Sequence, residues 1–164
     1  MIKILANDGI SKEGIDALIS KGFTISTEHI AQNNLINSIN KEEYEVLLVR
    51  SATTVQKDLI DACPNLKIIG RGGVGMDNID VDYAIEKEIN VINTPAASSA
   101  SVAELVFAHL FGMARFLFDS NRQMPMIGDS DFKGLKKSYA KGKELAGKTL
   151  GIIGFGRIGQ EVAK

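Results

Sequence analysis

Gly151-Ile-Ile-Gly-Phe-Gly-Arg-Ile-Gly159, near the carboxyl end of 164 residues, is the stretch from which the fold is read. The short apolar run at 149–153 predicts a buried parallel strand. Gly154, Gly156 and Gly159 follow at the spacing of the dinucleotide fingerprint. In that turn the first glycine allows a tight bend and the second lets the backbone approach a pyrophosphate. The third permits close packing of helix on strand. A helix opening near Arg157 offers free N–H groups and the positive end of its dipole to an anion. A plain strand–helix turn uses the same residues, and the strand before and helix after favour the nucleotide loop. The acidic residue that grips the ribose is expected about 20 residues further on, past Lys164.

Upstream, short apolar runs alternate with helical patterns from the first residue. Strands are expected at 2–6, 23–26, 46–49, 67–69 and 90–92. Helices are expected at 11–21, with Ile15, Leu18 and Ile19 on one face, and at 34–41, 59–62 and 80–88. Five βα units argue for an α/β, doubly wound parallel sheet with flavodoxin-like strand order. Ligands of such sheets lie beyond the carboxyl ends of the strands. The polar residues there are Asn7-Asp8, Arg50-Ser51, Arg71-Gly72 and Asn93-Thr94.

After Pro95 the small residues at 96–100 form a hinge, and Ser101-Val-Ala-Glu104 has the form of a capping box. Positions 102–118 are apolar nearly all round, which predicts a helix buried at a domain junction or between subunits. Its ionisable residues Glu104, His109 and Arg115 argue against a membrane span. Residues 121–143, polar and carrying Pro125, Gly128, Gly134 and Gly142, read as a long exposed connection. The expected division is a substrate domain at 1–97 and the incomplete start of a Rossmann domain at 98–164.

Hydrophobic residues make up 45% of the chain and charged ones 24%, as in globular rather than disordered proteins. A net charge of −1 without a basic block speaks against a nucleic-acid partner. Cys63 stands alone, which rules out an internal disulfide and suits a reducing compartment. The first strand runs at once into Asn7-Asp8-Gly9 with no secretory pattern, so a cytoplasmic protein is expected.

Arg50 follows a buried strand directly, where a guanidinium can hold a carboxylate or phosphate in two hydrogen bonds, and Ser51 adds a hydroxyl and an N–H. Snorkelling at a strand end or pairing with a local acid are the alternatives. Residues 70–75 hold four glycines, which bring bare N–H groups to a surface and suit a small anion; a flexible connection is the other reading. Arg71 is equally a surface charge or a ligand. His29 reads as a surface residue and His109 as a buried or interfacial one. No metal or nucleophile constellation and no general base stand out within 1–164.

Four segments in order resemble the D-isomer-specific 2-hydroxyacid dehydrogenases, most of all the branch acting on 3-phosphoglycerate. They are Val49-Arg-Ser-Ala-Thr53, Gly70-Arg-Gly-Gly-Val-Gly-Met-Asp-Asn-Ile-Asp80, Asn93-Thr-Pro95 with Ser101-Val-Ala-Glu104, and Gly147-Lys-Thr-Leu-Gly-Ile-Ile-Gly-Phe-Gly-Arg-Ile-Gly159. The resemblance implies a flavodoxin-like substrate domain followed by a Rossmann domain that binds NAD. It places Arg50, Ser51, Gly72, Gly73, Val74 and Gly75 against the acid substrate, with Ser98 where several members have an asparagine. Val74 falls by the nicotinamide, and Gly154, Gly156, Arg157, Ile158 and Gly159 fall by the cofactor. The helix at 101–118 resembles the family's dimerisation helix, so a homodimer or higher oligomer is implied. The family's catalytic Arg, Glu and His fall beyond Lys164, so none is assigned here and these residues alone are expected not to turn over.

A non-catalytic regulator or NAD-sensing module of the same fold is the rival class. A phosphoacceptor receiver domain needs an Asp after the third strand and a Lys after the fifth. Arg50 and Asn93-Thr94 stand there instead, which rejects it.

Overall fold

Runs of β-branched and aliphatic residues form five short strands, β1 (Lys3–Ala6), β2 (Thr24–Ser26), β3 (Val46–Val49), β4 (Ile68–Arg71) and β5 (Asn90–Asn93). The structure, a computed structural model, describes residues 1–164. All strand pairs are parallel and the order is β2-β1-β3-β4-β5, the flavodoxin-like arrangement. Helices connect them: α1 (Lys12–Ser20), α2 (Gln32–Glu42), α3 (Lys57–Ala62) and α4 (Val81–Glu86). Ser11 caps α1 by accepting from the Gly14 N–H at 3.2 Å, and Asp80 caps α4 through the Tyr83 N–H.

These elements form one compact unit, Met1–Ala97, and a second unit comprises Ser98–Lys164. The first unit's core is contributed by Leu5, Leu35, Ile39, Leu47, Val49, Leu59, Cys63 and Ile69, all nearly or wholly inaccessible. Central strands are apolar on both faces because helices cover both. A Cβ on Gly70 would come within 2.7 Å of Leu48 Cδ2, so any larger residue there requires the Leu48 side chain to move. The first helix differs from expectation: it has no buried residue, and Ile19 faces solvent.

The second unit holds α5 (Ser99–Ala114), α6 (Leu117–Tyr139) and α7 (Arg157–Ala163). Two expectations are corrected here. The apolar helix is not continuous over 101–118: α5 ends at Arg115, and Phe116 turns the chain with φ +55°. It starts at Ser99 with Ser98 as its cap residue, and the Ser101 hydroxyl bonds the Ser98 carbonyl instead of closing a capping box. Its apolar surface is not covered by this chain, so of the two expected settings burial between subunits is the one to propose. Leu105, Phe111 and Met113 are more than half exposed, and His109 is exposed as well.

The segment expected as an exposed connection is helical through Tyr139. Its glycines and proline read as breakers, but only Asp131 leaves helical geometry (φ −137°, ψ 45°). There its carboxylate accepts the Gly134 N–H at 3.0 Å and starts the helix again. Gly134 leaves room for that carboxylate, which a Cβ would strike.

The run at 149–153 is not a strand. It pairs with nothing, and Ile153 is fully exposed. A strand exists by pairing with neighbours, and no other strand lies within Ser98–Lys164. No single helix in the chain is long and apolar enough to cross a membrane.

Candidate functional site

The parallel sheet ends on one edge in polar residues, because β1, β3, β4 and β5 all point their carboxyl ends the same way. A cleft of about 670 Å³ opens there. Its walls include Asp8, Ile10, Leu48, Arg50, Gly72 and Asn93, so an apolar floor carries a few polar groups at the rim.

Arg50 is the group in this cleft whose head is free. Its guanidinium joins no ion pair and donates to no protein acceptor, while its backbone is held at both ends. The Arg50 N–H donates to Asp8 Oδ2 at 2.6 Å. Its carbonyl accepts from Asn78 Nδ2 at 2.9 Å and from Arg71 Nε at 3.3 Å. The stem of Arg50 lies over Gly72, where an added Cβ would stand 3.4 Å from its Cγ. Of the two structural alternatives, pairing with a local acid lacks its acid.

Arg71, left open between ligand and surface charge, has a third use. Besides Arg50 it bonds the Gly75 carbonyl, so its guanidinium ties the glycine loop to the β3 loop. That loop is partly self-satisfied. The Gly72 N–H donates to Val49 and the Gly73 N–H to Arg71, and Thr94 and Asn93 bond the Gly73 and Val74 carbonyls. The N–H groups of Val74 and Gly75 find no protein acceptor. Of the named candidates, Arg50 and Gly72 line the cleft; Ser51, Gly73, Val74 and Gly75 follow on the same two loops outside its wall. Ser51 is exposed.

Ser98 and the 154–159 turn belong to the second unit. Ser98 gives its carbonyl to Ser101 and Val102. Gly154 has φ +92°, a left-handed conformation that L side chains rarely adopt, and a Cβ on Gly159 would collide with the Gly154 carbonyl oxygen. Gly156 is open: a Cβ there would meet no atom within 4 Å. It caps α7, with Arg157 and Ile158 as the first helical residues. A bend, an open face and a close approach are what the dinucleotide turn requires of its three glycines.

Of the residues that build the Arg50 loop, sequence reasoning marked Asn7 and Asp8 only as polar residues at a strand end and gave Thr53 and Asn78 no individual part. Asn7 Nδ2 bonds Thr53 Oγ1 at 2.8 Å and its Oδ1 accepts from the Ile30 N–H. His29 Nδ1 lies 2.9 Å from the Asn7 carbonyl oxygen, and the ring stays exposed. Asp8 is held below the usual carboxylate range. Burial pushes it up, but the Thr53 hydroxyl and the N–H groups of Arg50, Thr53 and Ala52 outweigh that. The signal for Asn7 and Asp8 was their place at a strand's carboxyl end; Thr53 and Asn78 had none. No cluster of three His, Cys, Asp or Glu is placed to hold a metal.

The family model described as D-isomer specific 2-hydroxyacid dehydrogenase, catalytic domain, matches residues 4–150. A hydroxypyruvate reductase of Thermotoga maritima is 47% identical over 163 residues, covering 99% of this chain and 51% of the relative. A D-3-phosphoglycerate dehydrogenase of Methanocaldococcus jannaschii is 43% identical over 164 residues, covering 100% of this chain and 30% of the relative. Among solved structures, an acyclic imino acid reductase in complex with NADPH and D-Arg superposes with a TM-score of 0.75 at 29% identity, over 99% of this chain and 52% of the other. The chain thus spans about half the length of one curated relative and under a third of the other.

Proposed function

The chain belongs to the D-isomer-specific 2-hydroxyacid dehydrogenases, and we propose that the protein carrying it oxidises a D-2-hydroxy acid with a nicotinamide dinucleotide. The substrate proposed is 3-phosphoglycerate, converted to 3-phosphohydroxypyruvate at the start of serine biosynthesis, with NAD as cofactor. The observation that carries this reading is Arg50: a fixed backbone and an unpaired guanidinium at the rim of the strand-end cleft.

A planar guanidinium there binds the acid's anionic group in two charge-assisted hydrogen bonds and orients C2. The free N–H groups of Val74 and Gly75, with Gly72 and Gly73 beside them, form the second contact surface for the acid. Ser51 and Ser98 are further proposed contacts. A nicotinamide held at this site would supply the acceptor for the hydride on C2, while the hydroxyl proton passes to a group outside residues 1–164. Gly154, Gly156, Arg157, Ile158 and Gly159 fit the pyrophosphate of the dinucleotide, and Val74 is assigned to its nicotinamide end. Asp8 is not the base, since both carboxylate oxygens already accept hydrogen bonds from the Arg50 loop. Residues 1–164 are proposed to bind without supplying the proton-transfer group.

Hydroxypyruvate is the second substrate to consider, because the Thermotoga maritima relative is named for its reduction. The test is a steady-state panel on the purified full-length protein that carries residues 1–164: 3-phosphoglycerate and D-glycerate with NAD or NADP, and 3-phosphohydroxypyruvate, hydroxypyruvate and glyoxylate with NADH or NADPH. The highest kcat/KM is expected for the phosphorylated pair with NAD. A preference for hydroxypyruvate replaces the substrate and keeps the reaction; no turnover in any pair refutes the dehydrogenase reading.

A further inference from the structure

Asp8 and Arg50 belong to different strand ends, yet the loop that carries Arg50 is built on the Asp8 carboxylate. Parallel pairing of Ala6 with Leu48 brings the two ends together, and the Asn7 N–H continues it onto Leu48 O. Asp8 Oδ2 then accepts from the N–H groups of Arg50 at 2.6 Å and Thr53 at 3.1 Å, and Oδ1 accepts from the Thr53 hydroxyl at 2.6 Å. On the opposite side, Asn78 Nδ2 holds the carbonyls of Arg50 and Thr53 at 2.9 and 2.7 Å. One carboxylate gathers the loop's donors and one amide gathers its acceptors. Between them the Arg50 side chain leaves the loop with no protein partner of its own.

We propose that Asp8 is a positioning residue for substrate binding: its carboxylate pre-orders residues 50–53 so that the Arg50 guanidinium meets the anionic group of the acid. This deepens the proposed function and rests on its reading of Arg50. Asp8 is suited to the task because an ionised carboxylate is acceptor only: the two backbone N–H groups on Oδ2 can only donate, and the Thr53 hydroxyl, already accepting from Asn7 Nδ2, donates to Oδ1. An asparagine of the same shape either turns its NH2 toward the two backbone N–H groups or forces the Thr53 hydroxyl to reverse its donation, and in both cases gives up the charge that strengthens these bonds. The loop then spends part of its time displaced, and apparent affinity falls in proportion to the fraction still competent.

The test compares wild type, Asp8→Asn, Arg50→Ala and the double variant. It measures KM and kcat, the Kd of 3-phosphoglycerate by calorimetry with NADH present so that no turnover occurs, the Kd of NADH alone, and Tm. Asp8→Asn is expected to raise KM and the calorimetric Kd about tenfold, as for a loop competent about a tenth of the time, with NADH affinity unchanged. In the Arg50→Ala background the same substitution is expected to add nothing to either constant, because the effect runs through Arg50. A lower Tm with normal KM and Kd in Asp8→Asn overturns the inference and leaves the reading of Arg50 standing. Normal substrate constants in Arg50→Ala overturn both. Should Asp8→Asn not fold, Thr53→Val removes one of the Asp8 contacts and is expected to raise KM in the same direction, again only when Arg50 is present. Unchanged KM in that variant overturns the inference too.

Discussion

Arg50 shows how a single residue separates anchoring from binding. Its main chain is bonded on both sides and its side chain on neither, so removing the side chain costs the fold little. For Arg50→Ala we expect kcat/KM on the acid to fall roughly 30- to 150-fold, the loss of about 2–3 kcal/mol of charge-assisted hydrogen bonding. Arg50→Lys is expected to restore only part, because an ammonium keeps the charge and loses the planar fork. Steady-state kinetics and a thermal melt of the same variants check this; a drop in Tm with normal kinetics would return Arg50 to the scaffold. Cys63 is the opposite kind of residue. It is fully buried, and burial pushes its thiol up to about 11. The folded chain should resist a thiol reagent at pH 8 and react once unfolded in urea, and labelling that proceeds at the rate of a free thiol without denaturant contradicts this. The sign carries into stability: the buried neutral thiol costs nothing below the unfolded value of about 8.5. Between there and about 11 the unfolded form ionises first, so stability declines as pH rises.

At the scale of elements, the glycine turn before α7 makes a prediction that strand content cannot. Gly159 approaches the Gly154 carbonyl so closely that a Cβ must push the turn open. Gly159→Ala is expected to weaken dinucleotide binding at least tenfold while the KM for the acid stays within about twofold, since the displaced amides are those proposed to hold the cofactor's pyrophosphate. Fluorescence titration with NADH measures the first and kinetics at saturating cofactor the second; equal losses in both would mean general disruption. The same turn shows the limits of reading elements locally. Glycine spacing predicted the bend at Gly154 and the open face at Gly156, because these are properties of a few adjacent residues. The strand expected at 149–153 is absent, because pairing depends on residues elsewhere. In α6 the error ran the other way: Pro125, Gly128 and Gly134 read as loop, and the backbone absorbs them with one break at Asp131.

For the whole molecule, the core cluster lies entirely within Met1–Ala97. That unit has a closed sheet core of its own, so residues 1–97 expressed alone should fold and unfold cooperatively in urea. A non-cooperative melt, or an NMR spectrum without dispersed methyl signals, would show that it needs the remainder. The second unit leaves Leu105, Phe111, Met113, Leu117 and Phe118 exposed, an apolar surface of the kind that marks an interface. A second copy of the chain is the proposed cover, and Phe111→Glu should then shift sedimentation from dimer to monomer at micromolar concentration. A wild-type protein that is already monomeric there refutes it.

Sequence alone determined the alternation of strands and helices in the first unit, the parallel order they take and the placing of Arg50 at a strand end. Each follows from local patterning: apolar runs make buried strands, and short crossovers make parallel neighbours. The turn geometry at Gly154 and Gly159 was legible for the same reason. Tertiary structure alone decided which strand-end groups are free and which are engaged. Asp8, Arg71 and Asn78 are as polar as Arg50 and stand in similar places, yet their hydrogen bonds go to the loops around them. It also decided that 149–153 pairs with nothing within residues 1–164 and that Leu105, Phe111 and Met113 of α5 are left uncovered by this chain. Periodicity says which residues want a partner, and whether one is within reach depends on the distances between segments far apart in the chain.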